Sequence, residues 1–172
     1  MRPEPTQQFI EESLDYRDGS LYWKHRPISH FPDARAQSIW NTKFAGKRAG
    51  TPRKQYEVVG MQGKQWLSHR LIYIMHKGAA PKYIDHINGD SQDNRIENLR
   101  SCTIQNNACN QKIHPKNNTG VKGVTRLGNK FRAKIWVNYK QIHLGVFEDL
   151  ELAELVAIEA RNKYHGAFAR VR

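Results

Sequence analysis

Residues 85–107 read DHINGDSQDNRIENLRSCTIQNN, and this stretch decides which fold the chain is expected to adopt. Residues 83–87 form a short strand-prone run that ends at the turn pair Asn88-Gly89, and residues 99–103 form a second such run. Residues 104–110 have the length of two helical turns. The order strand, loop, strand, helix is therefore predicted for this segment.

The polar residues of this stretch fit the cleavage of a phosphodiester bond. With the end of the first strand facing the helix, Asp85 and a residue near Asn107 are expected to converge on one cation. A hard divalent ion prefers oxygen ligands, and one carboxylate with one amide carbonyl leaves positions open for a phosphate oxygen. His86 adjoins Asp85, and imidazole can accept a proton from water at neutral pH. These residues predict a one-metal nuclease site.

A purely structural interpretation has to be weighed against this one. Asp85 and Asn98 also suit turns and strand caps, where Asp and Asn are common. Asp90 and Asp93 are better explained as solvated loop residues than as ligands. His69, upstream of the stretch, fits a packed or hydrogen-bonded histidine better than a catalytic one. It is the combination of an acid, a histidine and asparagines at these spacings that favours a nuclease site.

The chain is strongly basic, with 28 Lys and Arg against 16 Asp and Glu in 172 residues, a formal net charge of +12. Residues 101–172 hold 12 Lys and Arg against 5 Asp and Glu, whereas residues 1–100 hold 16 against 11. This charge favours an anionic polymer as partner, and the C-terminal part is the more concentrated polyanion binder. Charge alone does not separate DNA from RNA or from a membrane surface.

The sequence contains no run of 18 or more apolar residues, and its first residues, MRPEP, lack the apolar core of a signal peptide. We therefore expect a cytoplasmic protein with no membrane partner. Cys102 and Cys109 are too few for a disulfide framework, and together with His114 they still lack a fourth zinc ligand. We expect reduced thiols and no structural zinc.

Upstream of the decisive stretch, residues 56–59 and 65–68 form two strand-like runs around a glycine-containing turn, which predicts a hairpin. The apolar residues of 71–75 then predict a helix that ends at Gly78. The first fifty residues predict one helical stripe formed by Phe9, Ile10, Leu14 and Tyr16. Residues 25–51 are basic and punctuated by Gly and Pro, so we expect mainly irregular chain there.

After residue 130, apolar side chains occupy every second position of the sequence, as in a β-strand with one buried face. One face would hold Phe131, Ala133, Ile135 and Val137, and the other Arg132, Lys134, Trp136 and Asn138. Residues 123–126 and 141–147 flank this run as further strands, and a helix that Asp149 caps and Gly166 ends follows them. A three-stranded sheet resting on one helix is predicted. Its free face, basic with an aromatic residue, can enter the major groove of DNA.

Asp85-His86 with Asn98 and Asn107 resembles the motif of the HNH family of ββα-metal nucleases, especially the small homing endonucleases of phages. His69-Arg70-Leu71 resembles the strand-to-helix element that precedes the motif in that family. The resemblance implies that Asp85 and Asn107 hold the metal, Mg²⁺ or Mn²⁺. It implies that His86 is the general base that activates water, and that Asn98 hydrogen-bonds across the loop to fix His86.

Two of these assignments have alternatives. The last position of the motif is often histidine in the family, whereas Asn107 is a substitution found in the homing branch, and the adjacent Asn106 could be the ligand instead. Asn94 is a lesser candidate than Asn98 for the structural asparagine.

Residues 118–171 resemble the ethylene-response-factor type of DNA-binding domain, which also occurs at the C-terminus of some phage HNH endonucleases. The resemblance is carried by GVKGV at 120–124, FRAKI at 131–135, LGVF at 144–147 and the alanine-rich helix up to Gly166. It implies DNA contacts from Arg126, Arg132, Lys134 and Trp136. Tyr139 stands where glycine is common, so the hairpin tip is expected to differ. The alternative is a basic sheet face that only contacts solvent.

The predicted fold class is α+β, a ββα-metal nuclease core followed by a small three-stranded antiparallel sheet packed on one helix. The polar segment NQKIHPKNNT at residues 110–119 predicts a linker. The predicted organisation is an N-terminal region of uncertain role (1–54), an HNH nuclease domain (55–110), a linker (111–117) and an ethylene-response-factor-like DNA-binding domain (118–172).

The sequence thus predicts a metal-dependent DNA endonuclease of homing type, encoded by a phage and located in the host cytoplasm. Double-stranded DNA is the expected partner, and a monomer with one site would nick one strand first. Cutting both strands would need two events or a dimer. The competing class is a DNA-binding regulator with a catalytically decayed nuclease fold. An RNA-binding protein is disfavoured because no RNA module signature is present.

Overall fold

The structure is a computed structural model and describes residues 4–111 and 113–169. Residues 1–3 and 170–172, at the ends of the predicted N-terminal region and C-terminal domain, lie outside the described residues, as does Lys112 of the predicted linker. The chain folds as two compact units, Met1–Ser101 and Cys102–Arg172. Helices and mainly antiparallel strands occur in both, so the predicted α+β class is confirmed.

The N-terminal unit alternates short strands with helices. Its helices are α1 (Gln7–Ser13), α2 (Ala34–Phe44) and α3 (Ser68–Lys77). Its strands, in chain order, are β1 (Leu14–Arg17), β2 (Ser20–Trp23), β3 (Thr51–Pro52), β4 (Glu57–Met61), β5 (Lys64–Leu67), β6 (Tyr83–His86) and β7 (Leu99–Cys102). Strands β1 and β2 form an antiparallel hairpin, β3, β4 and β5 form an antiparallel sheet in that order, and β6 pairs with β7.

The start of the chain corrects the predicted helical stripe. Leu14 and Tyr16 lie in β1, and only the residues before them are helical. The cause is the turn at Asp18 and Gly19, whose φ values of 42° and 81° match the turn type that closes two-residue hairpins. This turn brings Trp23 opposite Leu14, so strand pairing overrides the helical pattern.

Helix α2 is a second correction, since mainly irregular chain was expected there. Asp33 caps it by accepting a hydrogen bond of 2.7 Å from the backbone N–H of Ala36. Trp40 fixes it to the unit, with its ring centroid 4.9 Å from that of Trp23 in an edge-on arrangement. Asn41 is the residue of this helix that is buried, so tertiary packing rather than a periodic apolar pattern determines the helix.

The predicted hairpin and helix upstream of the decisive stretch are present. Gln62 and Gly63 close the β4–β5 turn with φ values of 53° and 71°. Helix α3 follows β5 directly and ends at Gly78, whose φ is 83° and whose N–H donates to the carbonyl of Ile74. The buried residues of the unit include Ile10, Leu14, Leu21, Val59, Leu71, Ile72 and Leu99. These residues pack α1 and α3 against the strands of the same unit.

The C-terminal unit contains α4 (Ile104–Cys109), β8 (Val124–Leu127), β9 (Lys130–Val137), β10 (Lys140–Phe147) and α5 (Leu150–His165). Strands β6 and β7 and helix α4 therefore follow the predicted order of strand, loop, strand and helix. Short 3₁₀ turns cover Ile96–Asn98 before β7 and Gly166–Phe168 after α5. In the part of the chain that is described, no helix combines the length and the hydropathy needed to cross a bilayer.

The predicted three-stranded antiparallel sheet on one helix is also present. Strand β9 lies between β10 and β8, and α5 packs on the sheet through a core that includes Val124, Ala133, Ala153 and Ala157. Asp149 caps α5 by accepting hydrogen bonds from two backbone N–H groups of its first turn. The β9–β10 turn places Asn138 and Tyr139 at φ values of 50° and 61°, so a tyrosine occupies a left-handed position that usually favours glycine.

Candidate active site

The end of β6 carries two polar side chains that are removed from solvent. Asp85 is 4% exposed and His86 is 7% exposed. Burying such groups costs free energy unless each is paired or hydrogen-bonded. Neighbouring residues of a strand point to opposite faces, so the two side chains find their partners in different places.

Asp85 forms an ion pair with Arg100 of β7. Both Nε and Nη2 of the guanidinium donate to the same carboxylate oxygen, Oδ2, at 2.8 Å and 2.7 Å. The strands that carry the two residues are hydrogen-bonded neighbours. Sequence reasoning missed Arg100, although an opposite charge on the neighbouring predicted strand is a typical signal of a cross-strand pair.

The imidazole of His86 is held by Asn94. Its Nε2 lies 3.2 Å from Oδ1 of Asn94, which is itself buried. An amide oxygen accepts and does not donate, so this contact favours the tautomer with the proton on Nε2 and the basic lone pair on Nδ1. Asn94, expected to be the lesser candidate, is thus the asparagine that contacts the imidazole of His86.

The side chain of Asn98 forms hydrogen bonds with the loop between β6 and β7. Its Oδ1 accepts from the backbone N–H of Asn88 at 3.0 Å, and its Nδ2 donates to Oδ1 of Asn88 at 3.1 Å and to the carbonyl of Asp93 at 2.7 Å. Its own carbonyl accepts from the N–H of Ile87 at 2.9 Å. The side chain therefore braces the backbone on both sides of the loop that follows His86.

His69 of α3 lies against the imidazole of His86, with ring centroids 5.2 Å apart and an edge-on arrangement. Tyr56, a further residue that the sequence did not suggest, has its ring 5.3 Å from that of His69. Burial lowers the pKa of His69 to about 3, and the nearby charges of His86 and Arg70 act in the same direction. His69 is therefore neutral at physiological pH, and its uncharged ring packs against the imidazole of His86.

Asp90 and Asp93 both accept hydrogen bonds from residues of the loop between β6 and β7. Asp93 accepts from Arg95 at 2.7 Å and 2.9 Å, and these bonds lower the pKa of Asp93 to about 2. Asp90 is exposed, and its carboxylate accepts from the backbone N–H of Gln92. Both acids thus accept hydrogen bonds from groups of the loop that carries them.

Asn106 and Asn107 lie on α4 in the C-terminal unit. Asn107 is exposed, whereas Asn106 is half-buried and donates its backbone N–H to the Thr103 side chain at the start of the helix. Asp85 belongs to the N-terminal unit, so the joint binding of one cation by Asp85 and Asn107 remains a prediction.

The donor set can be tested against the needs of a hard divalent cation. Within residues 4–111 and 113–169, no cluster of three or more His, Cys, Asp or Glu side chains could hold a metal ion. A shell of one carboxylate, amide oxygens and waters is not such a cluster, and it is the kind of shell that Mg²⁺ accepts. Asp85 with an asparagine therefore fits such an ion by its chemistry. Cys102 and Cys109 form no disulfide bond in the described residues.

In the C-terminal sheet, the register separates the predicted DNA contacts into two groups. Arg132, Lys134 and Trp136 alternate along β9 on the face opposite the buried Ala133, and Trp136 is 58% exposed. Arg126 pairs with Phe131, which packs into the core beneath the sheet, and its guanidinium carbon lies 5.6 Å from that ring centroid. Three of the four residues thus share the outer face, and Arg126 lies on the face of the helix.

Comparisons with known proteins agree with the chemistry of the site. A family model described as HNH endonuclease matches residues 67–109, which contain α3, β6, β7 and α4. Protein 3.8 of Escherichia phage T7 is 32% identical over 110 residues, which cover 60% of this chain and 88% of the relative. No solved structure is significantly similar to the chain. The matched segment includes the residues predicted to cut and to bind metal.

Proposed function

We propose that this chain, which carries an HNH endonuclease domain at residues 67–109 and is related to protein 3.8 of Escherichia phage T7, hydrolyses phosphodiester bonds in DNA with the help of a divalent metal ion. One observation carries the proposal. At the end of a single strand inside the matched segment, a buried histidine is oriented by Asn94 next to a buried aspartate. HNH nucleases generally use divalent metals, and the donor set fits one.

Asp85 would hold the cation through its carboxylate, and the amide oxygen of Asn107, or of its neighbour Asn106, would complete the protein ligands. When bound, the ion supplies positive charge that stabilises the scissile phosphate and the leaving 3′-oxygen as negative charge develops. Mg²⁺ is the ion we propose, with Mn²⁺ as the alternative, because both accept oxygen ligands of this kind.

His86 would be the general base. Its contact with Asn94 leaves the basic lone pair on Nδ1, which would take a proton from the attacking water. The water oxygen bonds to phosphorus, the bond to the 3′-oxygen breaks, and this oxygen takes a proton from solvent. Asn98 would contribute by holding the loop after His86 in one conformation.

The outer face of the C-terminal sheet would bind the DNA. Arg132 and Lys134 would neutralise phosphates or contact guanine edges, and the exposed Trp136, which follows them on the same face of β9, would pack against the duplex. Arg126 would reach DNA only from the edge of the sheet. This module would supply affinity and register for the nuclease site, and the resemblance to phage enzymes supports a homing-type role for the whole chain.

A plasmid assay tests the enzymatic proposal. Supercoiled plasmid is incubated with the wild type, His86→Ala and His25→Ala, with Mg²⁺ or with EDTA, and the broken strand is mapped by sequencing. We expect the wild type and His25→Ala, changed at an exposed histidine, to nick one strand with Mg²⁺ only. His86→Ala should be slower by at least about a hundredfold. Equal nicking by His86→Ala would contradict the mechanism.

A second function is favoured by the ion pair between Asp85 and Arg100. A carboxylate held by a guanidinium is also what a DNA-binding regulator with a decayed nuclease fold would show. The plasmid assay separates the two functions, because a regulator would bind the plasmid without nicking it at any Mg²⁺ or Mn²⁺ concentration.

A further inference from the structure

Arg100 is the counter-ion of Asp85 in an ion pair that is largely removed from solvent. The guanidinium directs two nitrogens at one carboxylate oxygen, and the side chains are 4% and 17% exposed. Pairing of β6 with β7 keeps the two residues on neighbouring strands. A buried carboxylate needs an opposite charge, because removing a single charge from water is costly.

A divalent ion bound at Asp85 would be a second cation on the same carboxylate. Divalent ions such as Mg²⁺ bind carboxylate oxygens directly, and two positive groups close to one oxygen repel each other strongly where water is excluded. Arg100 cannot keep both of its hydrogen bonds to Oδ2 if Oδ2 becomes a metal ligand, and its charge repels an ion that binds the other oxygen, Oδ1. Binding of the ion and the contact with Arg100 are therefore in competition.

We propose that Arg100 is a positioning residue that neutralises Asp85 until a divalent ion binds, and that the displaced guanidinium then binds a phosphate of the DNA. This inference rests on the proposed role of Asp85 as metal ligand. A guanidinium released from a carboxylate presents the same planar set of donors to a phosphate, for which its geometry is equally suited. The exchange would couple metal binding to DNA binding at the site.

The first part of the proposal is tested by Mn²⁺ affinity without DNA. Free Mn²⁺ is followed by its electron paramagnetic resonance signal during titration of the full chain. Arg100→Gln should bind Mn²⁺ about tenfold tighter than the wild type, because the two charge-assisted hydrogen bonds of Arg100 no longer compete with the ion. Arg17→Gln is the matched control, since Arg17 also pairs with an aspartate but is exposed, and it should not change the affinity. Equal or weaker binding by Arg100→Gln would overturn the proposal.

Arg100→Gln leaves Asp85 without its counter-ion and will lower the stability of the metal-free chain. Its melting temperature should therefore rise more on adding Mn²⁺ than that of the wild type. Arg100→Lys keeps a positive charge but not the two-nitrogen contact, so it should fall between the wild type and Arg100→Gln in affinity. If Arg100→Gln does not fold, Arg100→Lys decides the question, and affinity no higher than that of the wild type rejects competition.

The second part is tested by the salt dependence of DNA binding. With Ca²⁺, a probe ion that supports binding without rapid cleavage, the slope of log K against log salt should be smaller by about one for Arg100→Gln than for the wild type. With EDTA the two slopes should be equal, because Arg100 then stays on Asp85. Equal slopes under both conditions would remove the phosphate contact from the proposal.

Asp85→Asn distinguishes failure of this inference from failure of the proposed function. If Asp85→Asn binds Mn²⁺ as well as the wild type does, Asp85 is not a ligand and the proposed metal site is wrong. If Asp85→Asn loses binding while Arg100→Gln matches the wild type, the metal site stands and only the role of Arg100 is wrong.

Discussion

The Nε2 atom of His86 lies 3.2 Å from the Oδ1 atom of Asn94, and both side chains are buried in the N-terminal unit. This contact orients the imidazole and favours the tautomer with the proton on Nε2. Asn94→Ala should lower the rate of nicking by roughly tenfold to a hundredfold, with little change in DNA affinity. Asn94→Asp keeps an acceptor oxygen and should retain more activity. Full activity of Asn94→Ala in single-turnover plasmid assays would contradict an orienting role.

We expect substitution of Asn98 to lower the stability of the N-terminal unit, because its side chain holds a loop and takes no direct part in the proposed reaction. Its buried side chain makes two hydrogen bonds to the backbone of the loop after His86 and a third to the side chain of Asn88. Asn98→Ala should destabilise the N-terminal unit by about 1–3 kcal/mol, because two partly buried backbone groups and the side chain of Asn88 lose their partners. Urea unfolding followed by tryptophan fluorescence measures the change. Gln8→Ala, at an exposed position of the same unit, should stay within about 0.5 kcal/mol of the wild type.

Acid should destabilise the N-terminal unit through His69. Burial lowers the pKa of His69 to about 3, whereas a histidine in the unfolded chain titrates near about 6.5. Between these values the unfolded state binds the extra proton, so stability falls as the pH is lowered from about 6.5 towards 3, by up to about 1.4 kcal/mol per pH unit.

His69→Gln should make this dependence shallower, and His25→Gln, at an exposed histidine, should leave it as in the wild type. The measurement is urea unfolding at a series of pH values between 4 and 7. The same pH dependence in His69→Gln and the wild type would show that His69 is not the group that takes up the proton.

The two faces of the C-terminal sheet should differ in DNA binding. Lys134→Ala removes a cation from the outer face and should reduce the slope of log K against log salt by about one. Lys163→Ala, on the exposed side of α5, is the matched control and should not change the slope. We expect a smaller loss for Arg126→Ala, since Arg126 lies over Phe131. An unchanged slope for Lys134→Ala would reject the outer face as the binding surface.

Tyr139 should be replaceable with a gain in stability. Its φ of 61° is unfavourable for a residue with a Cβ atom, and its side chain is 76% exposed, so little packing is lost. Tyr139→Gly should stabilise the C-terminal unit by about 0.5–1 kcal/mol in thermal unfolding. Tyr139→Ala removes the same ring but keeps the backbone cost, and a gain as large as that of glycine would disprove this explanation.

Local patterns were sufficient to predict many elements. The turn glycine before β5 and the glycine after α3 determine the hairpin and the helix end through backbone conformation alone. Alternation along β9 predicted which side chains are buried, because the period of a strand does not depend on its partners. Helix α2 and strand β1 were not predicted. Packing of Trp40 on Trp23 holds α2, and the turn at Asp18 and Gly19 pairs β1 with β2, so the helical pattern of the sequence decides neither element.

By itself the sequence determined the strand, loop, strand and helix order of residues 83–109 and the presence of an acid, a histidine and asparagines within it. Only the tertiary structure decided how these side chains are paired. It brought Asn94 rather than Asn98 to His86, Arg100 to Asp85 and His69 to the side of the imidazole. The physical reason is that each buried polar group must find a partner, and the partner available is set by chain packing rather than by spacing in the sequence.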